Sequence, residues 1–138
     1  KVEGEERMKT TGGRCHCGDV TFEFDGPENW RAYCHCDSCR RNTSSPVTAF
    51  IGVPRGALRF TGRAPAVYES SPGVRRLFCG RCGSPMAFDA DRYPKEIHLY
   101  IASLNEPERF APQCHVHTAE QLTWFDVKDD LKRYPRTG

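Results

Sequence analysis

The sequence predicts a mainly β, single-domain protein, and three observations carry that prediction. Short runs of alternating apolar and polar residues recur along the 138-residue chain, the pattern of half-buried strands. Turn-forming residues are frequent, with 12 glycines and 10 prolines, and no amphipathic helix longer than about three turns is visible. All eight cysteines except Cys114 fall into three tight clusters, so metal staples can support a core whose hydrophobic content is only 38%. The expected architecture is a sandwich or tent of small antiparallel sheets.

Taken in order, Val20–Phe24 alternates and forms the first expected strand, which Gly26-Pro27 ends. Val47–Val53 is rich in β-branched and aromatic residues and is bounded by Pro46 and Pro54. Leu58–Phe60 stops at Thr61-Gly62, and Ala66–Tyr68 precedes a turn at Ser70–Gly73. Val74–Phe78 leads into Cys79, and Met86–Phe88 leaves the Cys82-Gly83 knuckle to stop at Asp89–Asp91. Ile97–Ile101 is the clearest alternating run, which assigns His98 and Tyr100 to the surface, with Ser103 just beyond. Asn105–Glu108 reads as a turn or short helical piece, and Pro112–Val116 follows. Trp124-Phe125 is expected to anchor the C-terminal packing. Asp126–Leu131 is expected to form a short helix with Asp126 as N-cap. The domain is placed at 13–134, between an N-terminal tail (1–12) and a C-terminal tail (135–138), with Lys1–Arg7 read as an added or frayed piece before Met8.

The net charge of +2 and pI of about 8.2 are too mild to imply a nucleic-acid partner. No stretch approaches the roughly 18–20 apolar residues of a membrane span, and Lys1–Lys9 lacks the apolar segment of a secretory signal. Clustered thiols in place of a spaced disulfide framework favour a reducing compartment, the cytoplasm.

The clusters are Cys15-x-Cys17, Cys34-x-Cys36-x-x-Cys39 and Cys79-x-x-Cys82. Disulfide geometry resists such short loops, whereas zinc takes about four tetrahedral ligands. Cys15, Cys17, Cys79 and Cys82 complete one closed four-thiolate site, which is structural by default. It staples two distant parts of the chain. Zn–S bonds of about 2.3 Å require its sulfurs about 3.7 Å apart, and Gly80 and Gly83 are expected to relieve the knuckle backbone through positive φ.

The triplet Cys34, Cys36 and Cys39 is one ligand short, as in a catalytic zinc site with an open position. A closed structural site remains the alternative, with Cys114, His115, His117, His98 or Asp37 as fourth ligand. Arg40 and Arg41 are candidate substrate-binding residues that would clamp a carboxylate, or else a solvated pair. His35 is a candidate proton relay, although its ring is expected to point away from the metal and bond the backbone.

Beyond these spacings, Gly13-Arg-Cys15-His-Cys17-Gly18-Asp-Val20, Cys34-His-Cys36-x-x-Cys39-Arg40-Arg41 and Phe78-Cys79-x-x-Cys82-Gly83-Ser84 resemble the glutathione-dependent formaldehyde-activating enzyme family, whose eukaryotic relatives include centromere protein V. Ile97–Asn105, Pro112-x-x-His115-Val116 and Trp124–Asp126 resemble it too, so the likeness runs from about Met8 to Tyr134. The resemblance implies a β-tent fold and two zinc ions. By it, Cys15, Cys17, Cys79 and Cys82 match the structural ligands, and Cys34, Cys36 and Cys39 the reactive-site ligands. It implies a carbon–sulfur lyase that joins glutathione, the expected co-substrate, to formaldehyde as S-(hydroxymethyl)glutathione, or handles a related thiol and aldehyde. Ser44 stands where the family commonly has glycine, a position where glycine would let substrate approach the backbone.

In the expected mechanism a thiol binds the second zinc as thiolate, Arg40 or Arg41 holds its carboxylate, and C–S bond formation with an aldehyde gives a hemithioacetal. The competing reading is a non-catalytic zinc-ribbon-like module for protein or nucleic acid, with Arg40, Arg41, Arg75 and Arg76 as a basic face. A third is a redox or metal-buffer role.

Overall fold

The computed structural model describes residues 9–138. The piece Lys1–Arg7 lies outside the described residues, and β1 (Thr10–Arg14) begins inside the segment assigned to the N-terminal tail. It pairs antiparallel with β2 (Thr21–Asp25), which in turn pairs with β5 (Leu58–Phe60) to complete a three-stranded sheet. The remaining strands are β3 (Trp30–Cys34), β4 (Thr48–Pro54), β6 (Ala66–Ser71), β7 (Val74–Phe78), β8 (Pro85–Ala90), β9 (Glu96–Tyr100), β10 (Cys114–Val116) and β11 (Lys132–Arg133). They form one sheet in the order β11-β10-β3-β4-β9-β8-β7-β6. A single α-helix, α1 (Asp37–Thr43), joins β3 to β4.

The mainly β prediction holds, but the second sheet is neither small nor purely antiparallel. β10 runs parallel to both β3 and β11, because the chain leaves β9 by a long connection and returns beside β3 in the same direction. The C-terminal segment is likewise tied in: His117 and Ala119 donate to the carbonyls of Arg136 and Pro135.

Alternation along the central strands explains how one sheet serves two purposes. On β4 and β9, Ile51, Val53, Ile97 and Leu99 face the small sheet, where they pack with Val20, Phe22, Phe24 and Phe110. Phe50 and Tyr100 face the other way and join Phe88, Cys34 and Cys39 in a second cluster. His98 and Tyr100, expected at the surface, are therefore 8% and 7% exposed. The alternation was read correctly, but both faces of this sheet are covered. Gly52 lies on that second face, where a Cβ would come within 2.4 Å of the Trp30 ring, so the glycine seats that indole flat on the sheet.

Two C-terminal expectations are corrected. Asp126–Leu131 forms no helix, because local side chains take the backbone groups a helix would use. Asp129 accepts from the Leu131 N–H at 3.0 Å, and Arg133 donates to the carbonyls of Val127 and Leu131 at 2.7 and 2.9 Å. Trp124 anchors nothing: it is 73% exposed and meets only the edge of Phe125.

Ser44 ends α1 with φ of 58°, and its N–H donates to the Arg40 carbonyl. The departure from the family's usual glycine thus falls on a left-handed helix cap, where glycine carries no Cβ penalty. Ser44→Gly is expected to stabilise the fold by about 0.5–1 kcal/mol, read as a raised urea midpoint at unchanged slope; an unchanged or lowered midpoint contradicts the assignment.

Candidate metal centres and adjoining cavity

The four-cysteine cluster assembles from two loops. Cys15 and Cys17 lie between β1 and β2, in a turn made by Gly18 at φ 87° and closed by Cys15 N–H donating to Val20 O. Cys79 and Cys82 lie between β7 and β8, turned by Gly83 at φ 82°. Gly80 has no positive φ, contrary to expectation, since the tight turn falls wholly on Gly83. The four sulfurs lie within 4.8 Å of one another, with Cys15–Cys17 at 3.6 Å and Cys17–Cys79 at 3.7 Å. Those separations match the roughly 3.7 Å that tetrahedral Zn–S bonds impose, so the donor set fits zinc. The N–H groups of Val20, Arg81 and Cys82 point at sulfurs from 3.3–3.4 Å, the outer contacts that favour thiolate.

All eight cysteines are free, so the disulfide alternative does not arise in this fold. Sulfurs packed so closely cannot all ionise without a cation among them. Hydrogen bonds from the Ser84 hydroxyl and backbone hold Cys82 down at about 5. Cys17 is pushed up to about 11: a backbone bond at Asp19 favours its thiolate, but desolvation and the sulfurs of Cys15, Cys82 and Cys79 prevail.

The triplet forms where β3 runs into α1. Cys34 ends the strand, Cys36 caps the helix by accepting the Cys39 N–H at 3.3 Å, and Cys39 lies buried in the first turn. Their sulfurs also lie within 4.8 Å of one another, and among the described residues no fourth His, Cys, Asp or Glu donor falls within that span. Cys114, His98 and His117 instead line a cavity of about 710 Å³ onto which Cys34, Cys36 and Cys39 open. His115 and Asp37 also stand outside the cluster.

Arg40 and Arg41 do not line that cavity. Arg40 donates to the carbonyls of His35 and Glu120, while Arg41, 80% exposed, pairs with Asp37 along the helix. The arginine that does reach the triplet is Arg76 on β7, only 4% exposed. It donates to Cys39 Sγ at 3.3 Å and Ser38 Oγ at 2.8 Å, and its guanidinium lies 4.8 Å from the Phe88 ring centre. Hydrogen bonds from Cys34 and Cys36, and then the charge of Arg76, pull Cys39 down to about 3. The same sulfur contacts push Cys34 far above the ordinary thiol range. Burial, and then the Cys39 charge, push Tyr100 up to about 12. The sequence offers Arg76 only as part of a basic face with Arg40, Arg41 and Arg75; the available signal for its burial was its face of β7.

His35 points away from the cavity, as expected, but its partner is another histidine. Its Nε2 lies 2.8 Å from His115 Nδ1, and His115 Nε2 lies 3.1 Å from Asp129. A carboxylate only accepts, so His115 carries its hydrogen on Nε2 and takes the Nε2–H of His35 on Nδ1. Tyr33 stacks on His115, and both imidazoles are fully buried. Burial, and then His115, Arg133 and Arg40, push His35 down to about 4, so it sits neutral beneath the loop that carries Cys34 and Cys36. The chain Asp129–His115–His35 was missed because Asp129 was assigned to a helix.

A small β protein with two thiolate clusters, one closed and one opening onto a cavity, is thus the class defined. The sequence profile of a family described as glutathione-dependent formaldehyde-activating enzyme matches residues 10–120, and the chain belongs to that family. A Halomonas elongata protein named provisionally for that activity is 24% identical over 126 residues, covering 84% of this chain and 80% of its own. An uncharacterised lyase of Schizosaccharomyces pombe is 25% identical over 130 residues, covering 87% and 93%. A Rhodobacter sphaeroides protein of solved structure shares the fold, with TM-score 0.57, 19% identity and coverage of 89% and 98%.

Two outcomes are expected of substitutions here. Cys79→Ser and Cys39→Ser should each lower zinc per chain by about one ion, but only Cys79→Ser should sharply lower the melting temperature, because its cluster joins distant segments; equal losses contradict the division. His115→Ala strands the buried His35 donor and should cost about 1–3 kcal/mol, with Asp129→Asn costing less, both by chemical denaturation.

Proposed function

We propose that this protein forms and cleaves the carbon–sulfur bond of a thiol–aldehyde adduct, as a carbon–sulfur lyase-type enzyme. S-(hydroxymethyl)glutathione, from glutathione and formaldehyde, is the family's reference case. The observation that carries the proposal is the triplet of thiols facing a cavity, with three donors together and, among the described residues, no fourth within 4.8 Å of them. Cys34, Cys36 and Cys39 would hold a zinc ion with an exchangeable position, and Cys15, Cys17, Cys79 and Cys82 a second, structural one. Zinc in the first position supplies Lewis acidity, which lets a thiol from solution lose its proton near neutral pH.

The chain's own residues supply the rest. In the forward direction sulfur attacks the carbonyl carbon, the C–S bond forms, and the carbonyl π electrons move to oxygen, which then takes a proton. The reverse breaks that bond and restores the carbonyl. The cavity holds thiol and aldehyde together, which replaces a bimolecular encounter by a local one. Arg40 and Arg41, expected to clamp a carboxylate, lie off the cavity, whereas Arg76 would stabilise the oxygen as it becomes negative, through its positive charge beside Cys39. His35, facing away, positions the ligand loop instead of moving the proton. Clustered free thiols favour a reducing compartment, the cytoplasm. Among the described residues no helix is long and apolar enough to cross a membrane.

The binding-module alternative loses its basic face. Arg76 is buried, Arg75 pairs with Asp89 and Asp91, and Arg41 pairs with Asp37.

The test combines metal analysis with kinetics. We expect two zinc ions per chain, one of which a chromogenic chelator removes at a rate that added glutathione changes. Adduct formation should run faster than in buffer, and Arg76→Ala should slow it about 10–100-fold. Two inert ions and no acceleration would refute the scheme.

A further inference from the structure

The cavity is far larger than formaldehyde requires, and its chemistry is divided. Cys34, Cys36, Cys39, Ser38 and Arg76 make a polar end. Trp30, Phe50, Phe88, Tyr93 and His98 make an aromatic wall. The wall is continuous: His98 lies 4.6 Å from Trp30, 4.7 Å from Tyr93 and 5.5 Å from Phe88, ring centre to ring centre. Arg76 touches both ends at once, with Cys39 at 3.3 Å and the Phe88 ring centre at 4.8 Å. A group attached to a sulfur at the triplet therefore faces the aromatic wall across the same cavity.

Trp30 Nε1 and His98 Nε2 are already engaged. Glu96 accepts from Trp30 Nε1 at 3.0 Å and bonds His98 Nε2 at 2.8 Å, while its other oxygen accepts from Asn29 at 3.0 Å. What the wall offers a ligand is ring faces. Of the cations at the cavity, Arg76 is committed to Cys39 and Ser38, and Arg92 lies over the rings of Phe88 and Tyr93. Glutathione brings two carboxylates and an ammonium group, for which this wall offers a single cation outside any ion pair, the exposed Arg92. Formaldehyde brings nothing that would cover the rings.

We infer that the adduct taken by this protein carries a flat apolar group of aryl size on the carbon bonded to sulfur, so that the substrate class is the hemithioacetal of an aryl aldehyde. The inference rests on the carbon–sulfur reading above and narrows it: the carbonyl carbon sits near the triplet while its ring lies against Trp30 and Tyr93. Bond formation and cleavage follow the same electron count as for formaldehyde, with no added reactant.

Benzyl mercaptan has the sulfur–carbon–ring skeleton of such an adduct and serves as the probe. With Trp124→Phe as background, Trp30 becomes the single indole reporter of the cavity. Fluorescence titration of the zinc-loaded protein should give a dissociation constant for benzyl mercaptan about tenfold or more below those of 2-mercaptoethanol and glutathione, since a ring buried against rings gains by area and stacking. Tyr93→Ala should remove much of that advantage and leave 2-mercaptoethanol within about twofold, the expected pattern for a contact specific to the ring; the ratio in the unmutated cavity decides the matter even if this variant does not fold. Equal affinities, or tighter glutathione, overturn the inference. Adduct turnover separates it from the reading beneath. Acceleration of the formaldehyde–glutathione adduct without a benzyl mercaptan preference overturns the aryl assignment alone. A clear preference without turnover of either adduct upholds the aryl ligand and removes the catalytic reading.

Discussion

Four sulfur atoms from two remote loops lie within 4.8 Å of one another, and nothing but a cation lets all of them carry charge there. The rest of the structure follows from that constraint. One loop closes the β1–β2 hairpin of the small sheet, and the other closes the β7–β8 hairpin of the large one. Fastening the two loops holds the sheets face to face over Phe22, Phe24, Ile51 and Leu99. With only 38% hydrophobic residues, a fold of this size would gain from a bound ion what a larger core would otherwise provide.

The second face of the large sheet carries the cavity. Each strand of its centre sends alternate residues into the core and into the cavity, so one backbone sets both distances. Ile51 and Leu99 belong to the core, while Phe50 and His98 belong to the cavity. The triplet stands at the edge of this face, where β3 gives way to α1 and two ligands can leave the strand while the third comes from the helix. Rigid elements thus fix the sulfurs to within the span zinc requires.

Local signals in the sequence carried most of this. The cysteine spacings gave both clusters, alternation gave β2 and β9, and short apolar runs bounded by turns or cysteine knuckles gave β4, β5, β6, β7 and β8. What stayed hidden depends on contacts between distant segments. Thr10–Arg14 and Trp30–Cys34 lack clean alternation and become strands only by pairing with β2 and β4. α1 is seven residues long and is made by its caps, Cys36 and Ser44, more than by any apolar stripe. Arg76 and Arg40 look equivalent as sequence; only β7's register turns the first toward Cys39, and the bonds to His35 and Glu120 hold the second away.

A buried guanidinium is costly unless its charge is answered. Arg76 finds that answer in Cys39, and a cation shared by the three sulfurs would take up much of the same negative charge. Arg76 would then hold positive charge with less to balance it, beside a cavity where the reaction creates an anion on oxygen. In the proposed reaction the same side chain would steady the resting site and favour the reacting one, since its free-energy gain would grow as negative charge develops. Phe88 beneath it shields the guanidinium from water on one face and so strengthens that preference.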